Sequence, residues 1–147
     1  MKIVKKIINL FNLFNENKKI ISEIENLKYQ NGCLLLENSL VKKSNDILDH
    51  EFKVFSQWGE DGIICYLINN LEIDNNFFVE FGVENYLESN TRFILKKYNW
   101  SGLVIDSSPK NISYIKNDKI YWQQDLLALC EFVSKKNINQ ILSNHIK

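Results

Sequence analysis

The stretch Phe77-Phe78-Val79-Glu80-Phe81-Gly82-Val83-Glu84 is the basis of the fold that we predict for this chain. Its apolar residues run on over the length of a strand, which is typical of a strand buried on both faces of a parallel sheet. Glu80 and Gly82 stand at the carboxyl end, where open α/β sheets bind ligands. Gly82 has no Cβ, so a cofactor could approach the backbone there. Burying Glu80 without a partner would be costly, so we expect it to meet a ligand or to cap a neighbouring element.

A second apolar run, Leu103-Val104-Ile105-Asp106, follows with a helical pattern over residues 88–98 between the two. Lys96 and Lys97 suit the C-terminus of that helix. Strand, helix and strand of this length predict a βαβ unit with a right-handed crossover. In nucleotide-binding units of this kind, an acid that ends the second strand accepts hydrogen bonds from ribose hydroxyls, and Asp106 stands there. No G-x-G-x-x-G follows the first strand, which disfavours a dinucleotide.

Four blocks of sequence carry a resemblance to a known family. They are Ser56-Gln57-Trp58-Gly59-Glu60-Asp61, Phe78-Val79-Glu80-Phe81-Gly82-Val83, Ser89-Asn90-Thr91 and Trp100-Ser101-Gly102-Leu103-Val104-Ile105-Asp106. In this order and spacing they resemble the FkbM-like family of S-adenosylmethionine (SAM)-dependent methyltransferases, over residues 52–147. The resemblance implies a Rossmann-like α/β sheet of the class I methyltransferase type, with SAM as cofactor at the ends of the first strands.

The resemblance also implies roles for individual residues. Glu80, Gly82 and Asn90 would belong to the cofactor-binding set, and Asp106 would bind the ribose of SAM. The loop over residues 84–87 lacks the additional glycine that many members carry, and Asp106 replaces the Glu that is common in the family. Asp keeps the carboxylate at that position.

Two further residues have more than one interpretation. Arg92, the only arginine of the chain, would pair with Glu80 or with the methionine carboxylate of SAM, or would be a surface residue of its helix. Residues 119–125 predict a third strand that ends in Asp125. By the resemblance Asp125 contacts adenine; otherwise it caps a helix that begins at Leu126.

Local signals place the other elements of the domain. Glu60 and Asp61 suit the first turn of a helix over residues 60–68, and Ser108 with Pro109 predicts a helix start. Residues 139–143 continue as helix. Trp58 is interpreted as an anchor for its loop or, alternatively, as a ring that stacks on a ligand.

Composition limits the class of protein. The chain has 147 residues, enough for about one domain, and 18 basic residues balance 18 acidic ones, which argues against a nucleic-acid partner. Three scattered cysteines and two distant histidines predict neither a disulfide framework nor a metal site. No apolar run approaches the ~20 residues of a transmembrane span, and we expect a cytoplasmic protein.

Residues 1–48 predict an N-terminal amphipathic helical segment. The seam residues of a heptad repeat are Leu10, Leu13, Asn17, Ile20, Ile24, Leu27, Asn31, Leu34, Asn38 and Val41. Asn at a positions favours a parallel homodimer at some cost in stability. Gly32 argues against an unbroken helix, and we favour one or two helices packed on the domain over a zipper. Attachment to a membrane surface through Ile3, Ile7, Phe11 and Phe14 is a further alternative.

The resemblance predicts methyl transfer from SAM, with O-methylation of a saccharide or a related small molecule. Three predicted parallel strands make half of a doubly wound sheet, so we expect an N-terminal portion of a methyltransferase domain, inactive alone. No residue is assigned as the catalytic base. Two other classes stay open: an NAD-type nucleotide-binding enzyme, and a non-catalytic α/β module that dimerises through its N-terminal helix.

Overall fold

The computed structural model describes the backbone of residues 2–146 and the side chains of residues 5–146. The elements in chain order are α1 (Lys2–Leu40), a 3-10 helix (Ile47–His50), α2 (Glu60–Asn70), β1 (Phe77–Phe81), α3 (Arg92–Tyr98), β2 (Ser101–Asp106), α4 (Pro109–Asn117), α5 (Lys119–Gln123), β3 (Leu126–Cys130) and α6 (Ile138–His145). None of these helices is both long and apolar enough to cross a membrane.

The three strands form one parallel sheet in the order β1-β2-β3. Phe81 of β1 is paired with Ile105 of β2, and Gly102 of β2 with Leu126 of β3. This confirms the prediction of an α/β fold with a parallel sheet and a preceding helical segment. The order, in which β2 lies between strands before and after it in sequence, is compatible with a Rossmann-like fold.

The local signals locate several helix ends correctly. The hydroxyl of Ser108 caps α4 by accepting a hydrogen bond from the amide of Asn111, and Pro109 occupies the first turn. Glu60 and Asp61 fill the first turn of α2. These signals depend on the residues that immediately flank each helix, so they hold whatever the tertiary surroundings are.

The prediction of a third strand over residues 119–125 is wrong. Those residues form α5, which begins where the carboxylate of Asp118 accepts a hydrogen bond from the Ile120 amide at 3.1 Å. Ile120 is buried while Trp122 is 71% exposed, so the segment buries one side as a short helix does. The strand is the next apolar run, Leu126–Cys130. A short apolar run does not distinguish strand from helix by periodicity, and here the two assignments were exchanged.

The two faces of the sheet are covered unequally. Phe78, Val104 and Ala128 face a large cluster that includes side chains of α1, α2, α3, α4 and α5. Leu103 and Ile105 lie on the opposite face, where Ile141 of α6 packs against them. This arrangement gives β2 a fully buried centre, as the apolar run of β2 predicts.

The expectation that Gly32 interrupts the N-terminal helix is also wrong, because α1 is one unbroken helix. Gly32 is buried, and a Cβ at this position would lie 2.5 Å from a Val54 methyl and 2.9 Å from the Phe93 ring. Gly32 therefore lets the backbone of α1 approach the domain closely. This contact offsets the helix propensity that Gly loses, which is worth about 1 kcal/mol.

Candidate functional site

The candidate site lies where β1 and β2 end. Because Phe81 pairs with Ile105, Gly82 leaves β1 next to Asp106, and its amide donates to the Ile105 carbonyl at 2.9 Å. Gly82 has a φ of +74°, and a Cβ built on it would have no atom within 4 Å. The backbone at Gly82 is thus open, in a conformation that suits glycine.

Two hollows share Phe81 and Gly82 as walls. The first, here the Glu80 hollow, has a volume of about 310 Å³ and is also lined by Gln57, Glu80, Val83, Glu84, Glu88, Ser89 and Asn90. The second, here the Asp106 hollow, has a volume of about 190 Å³ and is also lined by Ile105, Asp106, Ser107, Glu131, Phe132 and Val133. An elongated ligand that crossed Gly82 would reach both hollows.

Glu80 meets donors of the protein itself. One carboxylate oxygen accepts from the Ser89 hydroxyl at 3.0 Å and from the hydroxyl and amide of Thr91, and the other accepts from the Asn90 amide at 2.9 Å. Of the two roles predicted for Glu80, capping a neighbouring element is the one observed, since these amides lead into α3. Glu80 shapes the wall of its hollow and holds Asn90 beside it.

Asp106 is almost fully buried and organises the second strand end. One of its oxygens accepts from the Ser108 amide at 2.8 Å and from the Asn111 side-chain amide at 3.0 Å, and the other accepts from the Glu84 amide at 3.0 Å. A carboxylate offers about four acceptor positions. The oxygen that accepts only from Glu84 can therefore accept one more hydrogen bond.

The loop after Gly82 contains two further residues with positive φ, Glu84 at 49° and Tyr86 at 65°. An ordinary L-residue in this region costs roughly 1–2 kcal/mol, so glycine would suit either position. The loop that lacks the additional glycine nevertheless turns in the left-handed conformation. Its contacts stabilise the turn: Tyr86 is fully buried, which raises the pKa of its hydroxyl, and that hydroxyl is 2.9 Å from the Thr91 hydroxyl.

The Ser56 to Asp61 block borders the same loop. One oxygen of the buried Asp61 accepts from the amides of Val54, Phe55 and Ser56 at 2.7–2.8 Å. The Phe55 carbonyl in turn accepts from the Ser89 amide at 2.9 Å. This segment brings Gln57 to the Glu80 hollow. Trp58 is 72% exposed, so its predicted role as a loop anchor is wrong.

Arg92 does not pair with Glu80, and it is not a surface residue. Its side chain is 1% exposed, and its terminal nitrogens donate to Glu25 of α1 at 2.6 Å, to Asp118 at 3.0 Å and to the Tyr86 carbonyl at 3.2 Å. Burial alone would lower the pKa of Arg92, but the charges of Asp118 and Glu25 raise it above its ordinary value. Arg92 joins α1 to the domain and has no contact with either hollow.

Asp125 also lies away from the site. It precedes β3 and accepts a hydrogen bond from the Ser101 hydroxyl at 2.6 Å, at the amino end of the sheet. Neither predicted role of Asp125, the adenine contact or the helix cap, fits this position. The residues that follow β3, Glu131 and Phe132, line the Asp106 hollow instead. The signal that could have found them was the apolar run that precedes them.

The geometry defines the chain as an α/β protein with a candidate ligand site at the carboxyl edge of a parallel sheet. Searches of family models, of curated proteins and of solved structures find no match to this chain. The family resemblance therefore stays a prediction.

Proposed function

We propose that this chain binds SAM at the carboxyl ends of β1 and β2 and belongs to a methyltransferase that acts on a saccharide or a related small molecule. One observation carries the proposal. Gly82 exposes open backbone between two hollows, and Asp106 stands at the adjacent strand end with an acceptor position to spare. The resemblance places a cofactor loop and a ribose-binding acid at these two positions.

The residues fit an elongated cofactor. We assign the ribose hydroxyls to Asp106 and the methionine part to the Glu80 hollow, where Gln57 and Asn90 supply polar side chains. Arg92 is engaged with Glu25 and Asp118, so the methionine carboxylate has to be bound by other groups. The side-chain amides of Gln57 and Asn90, which both line this hollow, are the candidate donors.

The adenine ring has an apolar candidate partner in the Asp106 hollow. Phe132 is 75% exposed and lies two residues after the end of β3, and aromatic rings stack well on flat ligands. In this proposal Phe132 takes the adenine contact that the sequence interpretation gave to Asp125. SAM would supply the methyl group as an electrophile, and the chain would hold and orient it for in-line attack.

Calorimetric titration with SAM tests the proposal. We expect Asp106→Ala to weaken binding by roughly 1.5–3 kcal/mol through the loss of hydrogen bonds to a carboxylate. Phe132→Ala should weaken binding by about 1–3 kcal/mol through the loss of stacking, which we take from base–aromatic contacts. Asp125→Ala is the matched control, because it removes the same side chain at the opposite edge of the sheet.

Two outcomes would contradict the assignment. If the unchanged chain and a folded Asp106→Ala variant bound SAM with equal affinity, Asp106 would not be the residue that binds the ribose. Binding of NAD in place of SAM would favour the dinucleotide alternative. Thermal melting of each variant shows whether the fold is retained, because Asp106 also holds the Glu84 and Ser108 amides.

A further inference from the structure

The heptad seam of α1 lies on a face that the domain does not cover. Its apolar members within α1 are 52–64% exposed: Leu10, Leu13, Ile20, Ile24, Leu27 and Leu34. Tyr29 and Leu36 contact the domain, and each stands two residues after a seam residue, Leu27 or Leu34. Two residues correspond to about 200° around a helix, so the seam points away from the domain.

We propose that this seam pairs with the same seam of a second copy, as a parallel, in-register, two-stranded coiled coil. Seam positions at a mean 3.5-residue spacing continue from Leu10 to Asn38, about four heptads of α1, and all but the three asparagines are apolar, which is the pattern of a coiled coil. The domain lies on the far side of each helix. Two helices can therefore approach along their seams while their domains stay outside the contact.

The asparagines of the seam favour a second copy in register over other occupants. Asn17, Asn31 and Asn38 occupy a positions and are exposed. In a parallel pair without stagger each Asn meets its own counterpart, and one amide can donate to the other. A lipid surface would offer these amides no comparable partner.

Charges beside the seam favour the parallel direction. Glu23 is at a g position, and Lys28, whose ammonium lies 5.3 Å from the centroid of the Phe55 ring, is at the e position five residues later. These two positions meet between parallel helices of a coiled coil. An antiparallel pair would bring like positions together and lose this attraction.

Sedimentation equilibrium at micromolar concentration tests the proposal with a matched pair of variants. Ile24 at an a position and Ile8 at an f position are both 52% exposed, so neither is needed for the core. We expect the unchanged chain and Ile8→Asp to be dimers. Ile24→Asp should raise the dimer dissociation constant at least roughly 100-fold, because each dimer would bury two charges.

Charge reversal tests the predicted contact between Glu23 of one helix and Lys28 of the other. Glu23→Lys and Lys28→Glu should each weaken the dimer, by roughly two- to tenfold, and the double variant should regain the affinity. An affinity that stays low in the double variant overturns the parallel arrangement. A helix that is folded in every variant, measured by circular dichroism, excludes unfolding as the cause.

Crosslinking checks the register. Asn17→Cys, at an a position, should form a disulfide-linked dimer under mild oxidation, and Asn15→Cys, at an f position, should behave as the unchanged chain does. A chain that stays monomeric, a larger assembly, or an equal effect of Ile8→Asp and Ile24→Asp overturns the proposal. Binding to anionic phospholipid vesicles by a monomeric chain would overturn it in favour of surface attachment.

Discussion

The first part of α1 (residues 5–21) and its second part (residues 22–40) differ in their contacts with the domain, although both belong to one helix. Every side chain from residue 5 to residue 21 is exposed, including large apolar ones such as Phe11 and Leu13. In the second part the buried positions include Gly32, Leu36 and Ser39. The face of α1 that contacts the domain therefore has few large apolar residues, while the more apolar seam is exposed.

This contrast shows that hydrophobic patterning alone does not identify the docked face of a helix. The docked face uses a close approach at Gly32, a Tyr29 ring against Phe93, a Ser39–His50 hydrogen bond of 2.8 Å and the Glu25–Arg92 ion pair. Specific contacts replace bulk apolar area on this face. Three changes test how firmly they hold the second part of α1.

Arg92→Met should have the largest effect. It leaves Glu25 and Asp118 without their shared cation and removes a donor from the Tyr86 carbonyl. Removing one partner of a buried ion pair costs about 3–5 kcal/mol of unfolding free energy. Urea denaturation measures this loss, and Lys110→Met on the exposed side of α4 is the control. A loss as small as that of the control would mean that Arg92 does not tie α1 to the domain.

Leu36→Ala in the second part of α1 and Ile8→Ala in the first part compare the two parts directly. Leu36 is 3% exposed, so its truncation should cost about 2–4 kcal/mol of unfolding free energy. Ile8→Ala, in the first part and away from the seam, should change the unfolding free energy by less than about 0.5 kcal/mol. Both are measured by urea denaturation at one protein concentration. Similar losses in the two variants would contradict the difference between the two parts.

The ion pair of Glu25 should make stability depend on acid pH. Burial raises the pKa of Glu25, but the hydrogen bond and charge of Arg92 outweigh it, so the pKa lies below its ordinary value of 4.5. A carboxyl group with a lowered pKa stabilises the fold fully above its unfolded pKa, and this contribution is lost as the pH falls through the folded value. Glu25→Gln should cost about 1–2 kcal/mol at neutral pH and less at pH 3.

Thermal melting of both chains from pH 7 to pH 3 measures the difference. The gap in unfolding free energy between the unchanged chain and Glu25→Gln should narrow as the acid limit is approached. A constant gap over this range would show that the charge of Glu25 contributes nothing. Glu16→Gln is the control for an exposed acid on the same helix.

Sequence by itself determined the elements whose signals are local. β1 and β2 follow from continuous apolar runs, and α2 and α4 follow from the residues at their first turns. The adjacency of Gly82 and Asp106 follows from these two strands, because neighbouring parallel strands end at one edge of the sheet. The candidate site was predictable to that extent.

Tertiary structure decided the features that depend on distant partners. Leu126–Cys130 is a strand because it pairs with β2, and Lys119–Gln123 is a helix although its residues also suit a strand. Arg92 is buried because two acids far away in sequence converge on it. Glu84 has a positive φ, and its amide donates to the carboxylate of Asp106, 22 residues later in the chain. In each case the deciding energy comes from residues that lie close in space and not in sequence, so no local pattern records it.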